Sequence, residues 1–378
     1  MPCPFRPSAA ELKAIHDGVS EIADIQRTLV NNHANLQVPD RVAHQYQIAG
    51  GPVIMRIADE LPPNLTGLGL FVPGTEHFGI GRVSTGLGTP HSEAQPDFLG
   101  LRFSFLADGR QIDFLSINDP AAPTDTHTEF VDLLFATGHA SAAGGPFQLA
   151  EEQARLLAAL TKRMGLVGAT RTATHVVRQT FRTFRSSTAV QPYWTGIFEA
   201  GGSVGKFSFV PEVDDNHSPG LHAAADHLTR DWQARQKAGD INFTVYWIPF
   251  VDEKRTSTSN MTDAWQEDGK SEIATIRFPA ADLPTPDALL WAALAAEMVA
   301  RPGNWLADTA GKIGEPPTAF EIARKAAYQL SQRGRDALEL RAYEDVFGKR
   351  KIGAALRKEL ERRRDDKARL GHVSEAAV

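Results

Sequence analysis

The sequence predicts an α+β fold in which an antiparallel β-sheet, closed as a β-barrel, carries helices to one side. Three observations lead there. Phe78 to Asn118 reads as consecutive antiparallel strands; Ser203–Val213, Ile241–Glu253 and Ser271–Ala280 continue the same alternation; and helical stretches near Leu149–Met164, Leu221–Ala238 and Asp287–Ala300 lie between and after them. No internal repeat or low-complexity block competes with this reading.

Composition narrows the function. At 378 residues with 42% hydrophobic side chains, the chain can bury a large core. Its formal net charge of -6 gives no reason to expect nucleic acid as a partner. The single cysteine, Cys3, rules out an internal disulfide, a cysteine-held metal cluster and c-type haem attachment, so any metal needs other donors. The N-terminus lacks a basic-then-apolar leader, and no apolar run reaches the roughly 18 residues of a membrane span, so a cytoplasmic protein is expected.

In order, the chain divides into an N-terminal helical arm (1–37), a main domain (38–347) and a basic helical tail (348–378). Ser8 to about Asn31 reads as one helix: Ser8 and Glu11 form a capping-box pattern, and Leu12, Ile15, Val19, Ile22, Ile25 and Leu29 make an apolar stripe. Val53–Ile57 looks like a buried strand, and His44 stands at its entrance. Asp108-Gly109 is a hairpin signature between two alternating runs. Leu101, Phe103 and Phe105 point one way, whereas Arg102 and Ser104 point the other, toward a polar face or a lined space. In the tail, the apolar stripe is narrow (Ile352, Ala355, Leu356, Leu360) amid many Lys and Arg, which predicts a solvated helix; contact with a partner or an anionic membrane surface is the alternative.

The run from Thr318 to Arg335 is the most informative helix. Phe320, Ile322, Ala323, Ala326, Ala327 and Leu330 recur at helical spacing, and Gly334 offers a stop. Arg324 and Tyr328 are four apart on one face, and Arg335, seven beyond Tyr328, returns to nearly the same azimuth. A tyrosine beside a fixed cation ionises more easily and suits an anionic metal ligand. The same spacing also describes an ordinary amphipathic helix, so it does not assign a ligand by itself.

Peroxide chemistry at haem needs an axial ligand, a distal acid-base group, cations for two propionates and an aromatic cover. The chain offers Tyr328 with Arg324, then His44, then Arg41, Arg82 and Arg335, and finally Phe130. His77, His91, Glu93 and His127 follow no spacing expected of a non-haem metal set.

The motifs around these residues resemble those of the haem catalase superfamily, and more closely its short, catalase-related branch. VPDRVAH, with Arg41 three before His44, is similar to the family's PERVVHAKG; GRVSTGLG, carrying Arg82 and Ser84, resembles its RFSTVAG; IDFLSINDP resembles its WDLVGNNTP; and IARKAAYQLSQRGR keeps the RxxxY spacing of its haem-ligand motif. QPYWTGIFEAGGSVGKFSFVPE and the Asn304-Trp305 to Pro317 stretch also look like segments of the short branch. The resemblance spans about Val38 to Arg335. It implies a barrel of catalase type and ferric haem b, with Tyr328 as axial ligand, Arg324 as its partner, His44 as distal histidine, Ser84, Arg41, Arg82 and Arg335 as haem contacts, and Phe130 over the ring. It also implies a peroxide oxidoreductase with a small-molecule hydroperoxide substrate.

Two positions depart from that pattern. In the gap-free register, Ile117 falls where the family has its distal Asn, and Asn118 follows it; a local bulge would turn Asn118 inward, so Asn118 stands as a catalytic candidate beside Ile117. Ala43 replaces a Val that usually crowds the distal histidine. Both changes favour organic or fatty hydroperoxides, by peroxidase or isomerase chemistry, over hydrogen peroxide; a catalytically weak haem-binding protein is the alternative. With little room for long arms or extra domains, a monomer or homodimer is expected.

Overall fold

A computed structural model describes residues 7–32, 41–86, 92–94, 97–140, 148–180, 187–213, 224–302 and 318–369. The helices α1 (Ala9–Ser20) and α2 (Ile22–Asn32) precede strands β1 (Gln47–Ile57), β2 (Glu76–Thr85), β3 (Leu99–Ala107) and β4 (Arg110–Ile117). After α3 (His127–Ala140) and α4 (Gln148–Thr180) come β5 (Tyr193–Ala200), β6 (Ser203–Pro211), α5 (His227–Ala238), β7 (Ile241–Pro249) and β8 (Ser271–Phe278). Helices α6 (Pro286–Glu297), α7 (Ala319–Gly334), α8 (Leu340–Lys349) and α9 (Ala354–Arg369) complete the chain.

The strands form a closed antiparallel barrel in sequence order, with β1 returning to pair with β8. The Asp108-Gly109 hairpin forms as expected: both residues have positive φ (50° and 69°), as a two-residue turn between right-twisted strands requires, and Ala107 pairs with Arg110. Alternation then divides the strand residues. Phe103, Phe105, Phe114, Phe207, Phe209 and Phe278 fill the barrel, with Phe103 and Phe209 at 5.0 Å edge to face. Gly81 makes room for this: a Cβ there would stand 2.3 Å from the Phe278 ring. The outward residues of β2 to β4, such as Arg82, Arg102, Ser104 and Asp113, are buried as well. Helices and a cavity cover that face, so both faces of these strands are shielded from water.

Four elements differ from the sequence reading. The expected single helix at Ser8–Asn31 breaks at Glu21; its capping box forms as predicted, with the Ser8 hydroxyl accepting from the Glu11 N–H. The arm lies on the domain, where Ile15, Val19, Ile22 and Ile25 pack with Ala323 and Ala327 of α7 and with Val131 and Leu134 of α3. The helix predicted to end at Met164 continues to Thr180 beyond a kink at Gly165 (φ 73°, ψ 170°). In the tail, α9 is not solvated on all sides. Leu360 is 0% exposed in the cluster with Leu290 and Leu294 of α6, and Arg363 donates to Glu297 (3.1 Å) and to the Asp336 carbonyl (2.7 Å). Helix α3 was missed, because Thr, Glu and Asp interrupt its apolar positions. No helix among the described residues is long and apolar enough to cross a membrane.

Candidate functional site

A cavity with an empty volume of about 1640 Å³, counting the part open to solvent, lies between the outer barrel face and α3, α4 and α7. Arg41, His44, Arg82, Ser84, Phe130, Arg324, Tyr328 and Arg335 all line it. Residues almost three hundred positions apart thus meet in one space. They arrive on four supports: the loop before β1, the outward positions of β2, helix α3 and a stripe of α7.

His44 is fixed from several directions. Its backbone occupies the left-handed region (φ 57°), its N–H donates to the Gly86 carbonyl (2.9 Å), and its own carbonyl accepts from Arg82 Nη2 (2.7 Å). The ring meets Phe98 edge to face at 5.7 Å, and its Nδ1 lies 3.3 Å from Ser84 Oγ. Gly100 permits that placement: a Cβ at 100 would stand 2.5 Å from Nδ1. Desolvation, reinforced by Arg82 and then by Arg324 and Arg41 against the opposing charge of Asp97, lowers the imidazole to about 4. His44 is therefore neutral near pH 7 and available as a base. In the tautomer whose Nδ1–H donates to Ser84, the lone pair resides on Nε2.

The opposite wall is α7, capped by Thr318, whose hydroxyl accepts from the Glu321 N–H. Tyr328 is half-buried, and its phenol oxygen makes no hydrogen bond among the described residues. The expectation that Arg324 meets that phenol is not what the structure shows. Its Nη2 donates to the Leu115 carbonyl (3.0 Å) and its Nη1 lies 3.4 Å from Glu321, whose Oε1 accepts from the Ile197 N–H. Gly196 allows this close docking of α7, since a Cβ there would stand 2.0 Å from Glu321. Arg324 thus ties the helix to β4 and leaves the tyrosine one turn further along.

The other guanidiniums have distinct settings. Arg82, 5% exposed, donates to Gln47 (2.9 Å) as well as to the His44 carbonyl, and so holds the strand entrance in place. Arg41 and Arg335 both donate to the Ala296 carbonyl, Arg335 at 3.4 Å, which brings two cations to one edge of the cavity. Gln332, four beyond Tyr328, also lines the cavity and exchanges two hydrogen bonds with the Ala300 backbone. Its spacing on α7 was a legible signal that the sequence reading passed over.

Asn118 requires a correction. Ile117 lines the cavity, whereas the Asn118 amide accepts from the Leu99 N–H (2.8 Å) and donates to Gln191 (2.7 Å). The strand ends without the inward bulge, and the amide seals the end of the β3–β4 ladder in place of a backbone group. His77 binds the Leu70 carbonyl (2.8 Å), Glu93 caps α5 at Leu228 (2.6 Å), and His127 begins α3, while His91 lies outside the described residues, as do Asn304-Trp305 and the run to Pro317.

No protein-family model matches the sequence, and no curated protein sequence matches it. Comparison with solved structures is informative. A fungal catalase superposes with a TM-score of 0.62 at 14% identity, over 79% of this chain and 59% of that one. Catalase A from Saccharomyces cerevisiae gives 0.63 at 16% identity, over 79% and 62%. The fold is that of the catalases. A bacterial catalase agrees, at 0.60 and 18% identity over 80% and 58%, so the chain spans about three-fifths of the length of the catalases it matches. In the catalase fold, the chain places its cavity on the outside of the barrel, under α7.

Proposed function

We propose that the protein is a haem-dependent oxidoreductase acting on hydroperoxides, with organic hydroperoxides preferred over hydrogen peroxide. The observation that supports this most is the meeting of Tyr328, His44 and five arginines around one largely apolar cavity. The residues present fit a haem. Tyr328 offers an oxygen donor with no competing hydrogen bond among the described residues, Arg41 and Arg335 offer paired cations for propionates, and Phe130, Leu133 and Leu134 offer apolar walls.

A bound ferric haem would supply the redox-active metal that polarises the peroxide. The protein's part is to hold and move charge. Tyr328 would bind as tyrosinate through its phenol oxygen, and Arg324, one turn away, would hold α7 in place through Leu115 and Glu321. His44 Nε2 would accept the proton of the hydroperoxide O–H and return it to the departing oxygen, so that the leaving group departs neutral. Ser84 would keep the ring in the required tautomer, and Gly100 would keep it seated. Ile117, in place of a polar amide, gives the incoming peroxide an apolar neighbour, which favours an alkyl-bearing substrate.

A second reading, a haem-binding protein with little catalysis, is favoured by the engagement of the Asn118 amide with Leu99 and Gln191, away from the cavity. The absorption spectrum of protein produced with haem, beside Tyr328→Phe, is the deciding experiment. A high-spin ferric spectrum of tyrosinate type, altered or lost in the variant, is expected. A wild-type protein that takes up no haem would overturn both readings. Haem uptake without hydroperoxide turnover would leave only the second.

A further inference from the structure

Lys206 has no role in the peroxide chemistry above, yet it lines the same cavity at 3% exposure. Its strand neighbours Phe207 and Phe209 point into the barrel, so alternation turns Lys206 outward, toward α7 and the 261–265 segment. Its Nζ lies 4.8 Å from the centre of the Trp265 ring, and among the described residues it makes no hydrogen bond and no ion pair. The charged groups facing it are Glu321 on α7 and Asp119 after β4. Both are engaged elsewhere: Glu321 with Ile197 N–H and Arg324, and Asp119 with the Ala121 N–H (3.0 Å). Their fields favour the charged amine without pairing with it. A buried ammonium left so is costly and is stabilised by any anion that reaches it.

The route from His44 is apolar and of definite length. Across the outer barrel face, Gly100, which seats His44, is opposite Ile117; Ile117 is opposite Trp194, and Trp194 is opposite Ser208, two residues from Lys206. Three strand spacings and two residues along β6 amount to about 16 Å. Trp194, Met261, Phe320, Phe130 and Ala122 pack together along this wall, and all of them line the cavity.

We propose that Lys206 anchors the carboxylate of a long-chain fatty acid, whose alkyl chain lies along the Trp194–Phe320 wall toward His44. It rests on the peroxide reading only in taking the substrate to be the hydroperoxide of such an acid. Desolvation holds the Lys206 amine down to about 8, against the opposing fields of Glu321 and Asp119, so the anchor is charged at neutral pH and is lost in mildly alkaline solution.

Calorimetric titration of the full-length, haem-supplied protein with dodecanoate and with 1-dodecanol tests this. The expected result at pH 7 is a carboxylate preference of about ten- to a hundredfold, the scale of one charge-assisted hydrogen bond. Lys206→Met should erase the preference while keeping dodecanol binding and the melting temperature, because removing a lone buried charge does not unseat an apolar wall. Raising the pH from 7 to 9.5 should erase it in the wild type as well. Equal affinity for acid and alcohol in the wild type, or an undiminished preference in Lys206→Met, would overturn the anchor. Dodecanoate needs no haem chemistry, so the outcomes separate. A Lys206-dependent preference in protein that takes up no haem upholds the anchor and removes the peroxide reading, whereas hydroperoxide turnover with no carboxylate preference does the reverse.

Discussion

The backbone at His44 lies at φ 57°, a region that costs a non-glycine residue about 1–2 kcal/mol. Arg82 on its carbonyl and Gly86 on its N–H hold it there. The same arginine, after desolvation, helps to keep the ring neutral down to about 4. Hydroperoxide turnover should therefore be flat from pH 8 to about 5 and fall as the pH passes through 4, while His44→Gln should lie about 10²- to 10⁴-fold lower throughout. A pH–rate profile of the two proteins checks this. The linkage has a definite sign. The unfolded chain binds the proton near 6.5 and the folded one near 4, so this group's contribution to stability is complete above 6.5 and is lost as the pH falls toward 4. At Ile117 the expectation concerns selectivity. Ile117→Asn places an amide where the peroxide loses its polar neighbour, and it should raise the ratio of hydrogen peroxide turnover to cumene hydroperoxide turnover. An unchanged ratio would mean that Ile117 does not face the substrate.

Helix α7 was legible in the sequence in its limits and stop, and in the stripe that carries Arg324, Tyr328 and Arg335. What it packs against was not. The arm helices α1 and α2 cover its other side, and Gly196 of β5 lets Glu321 and Arg324 close on the barrel. The tail shows the limit of composition more clearly. Its many Lys and Arg predict solvation, yet one leucine, Leu360, is fully buried against α6, and Arg363 is tied to Glu297 and Asp336. Leu360→Ala should destabilise the protein by about 2–5 kcal/mol, the usual cost of such a truncation in a packed site. Chemical denaturation followed by tryptophan fluorescence measures it. A change near zero would mean that α9 is only loosely applied to the domain.

At the scale of the whole molecule, the barrel is buried twice over, with aromatic rings within and helices around it. The inner face follows from strand alternation and was readable from Leu101, Phe103 and Phe105. The outer face carries Arg82 and Ser84, which the family resemblance alone put at a cofactor, Arg102, which alternation gives only to a polar face or lined space, and Lys206, to which the sequence assigns no role. Only closure of the barrel, with β1 on β8 and the helices drawn over β2 to β6, turns those polar positions into cavity wall. The sequence by itself determined the α+β class, the hairpin at Asp108-Gly109, the helix bearing Tyr328 and the candidate residues around it, because periodicity, turn chemistry and capping are local. The tertiary structure alone decided that Ile117 rather than Asn118 lines the cavity, that Arg324 binds Leu115 and Glu321, that the tail docks, and that Lys206 shares the cavity with His44. Each of these depends on which distant backbone a side chain meets, and that is set by packing.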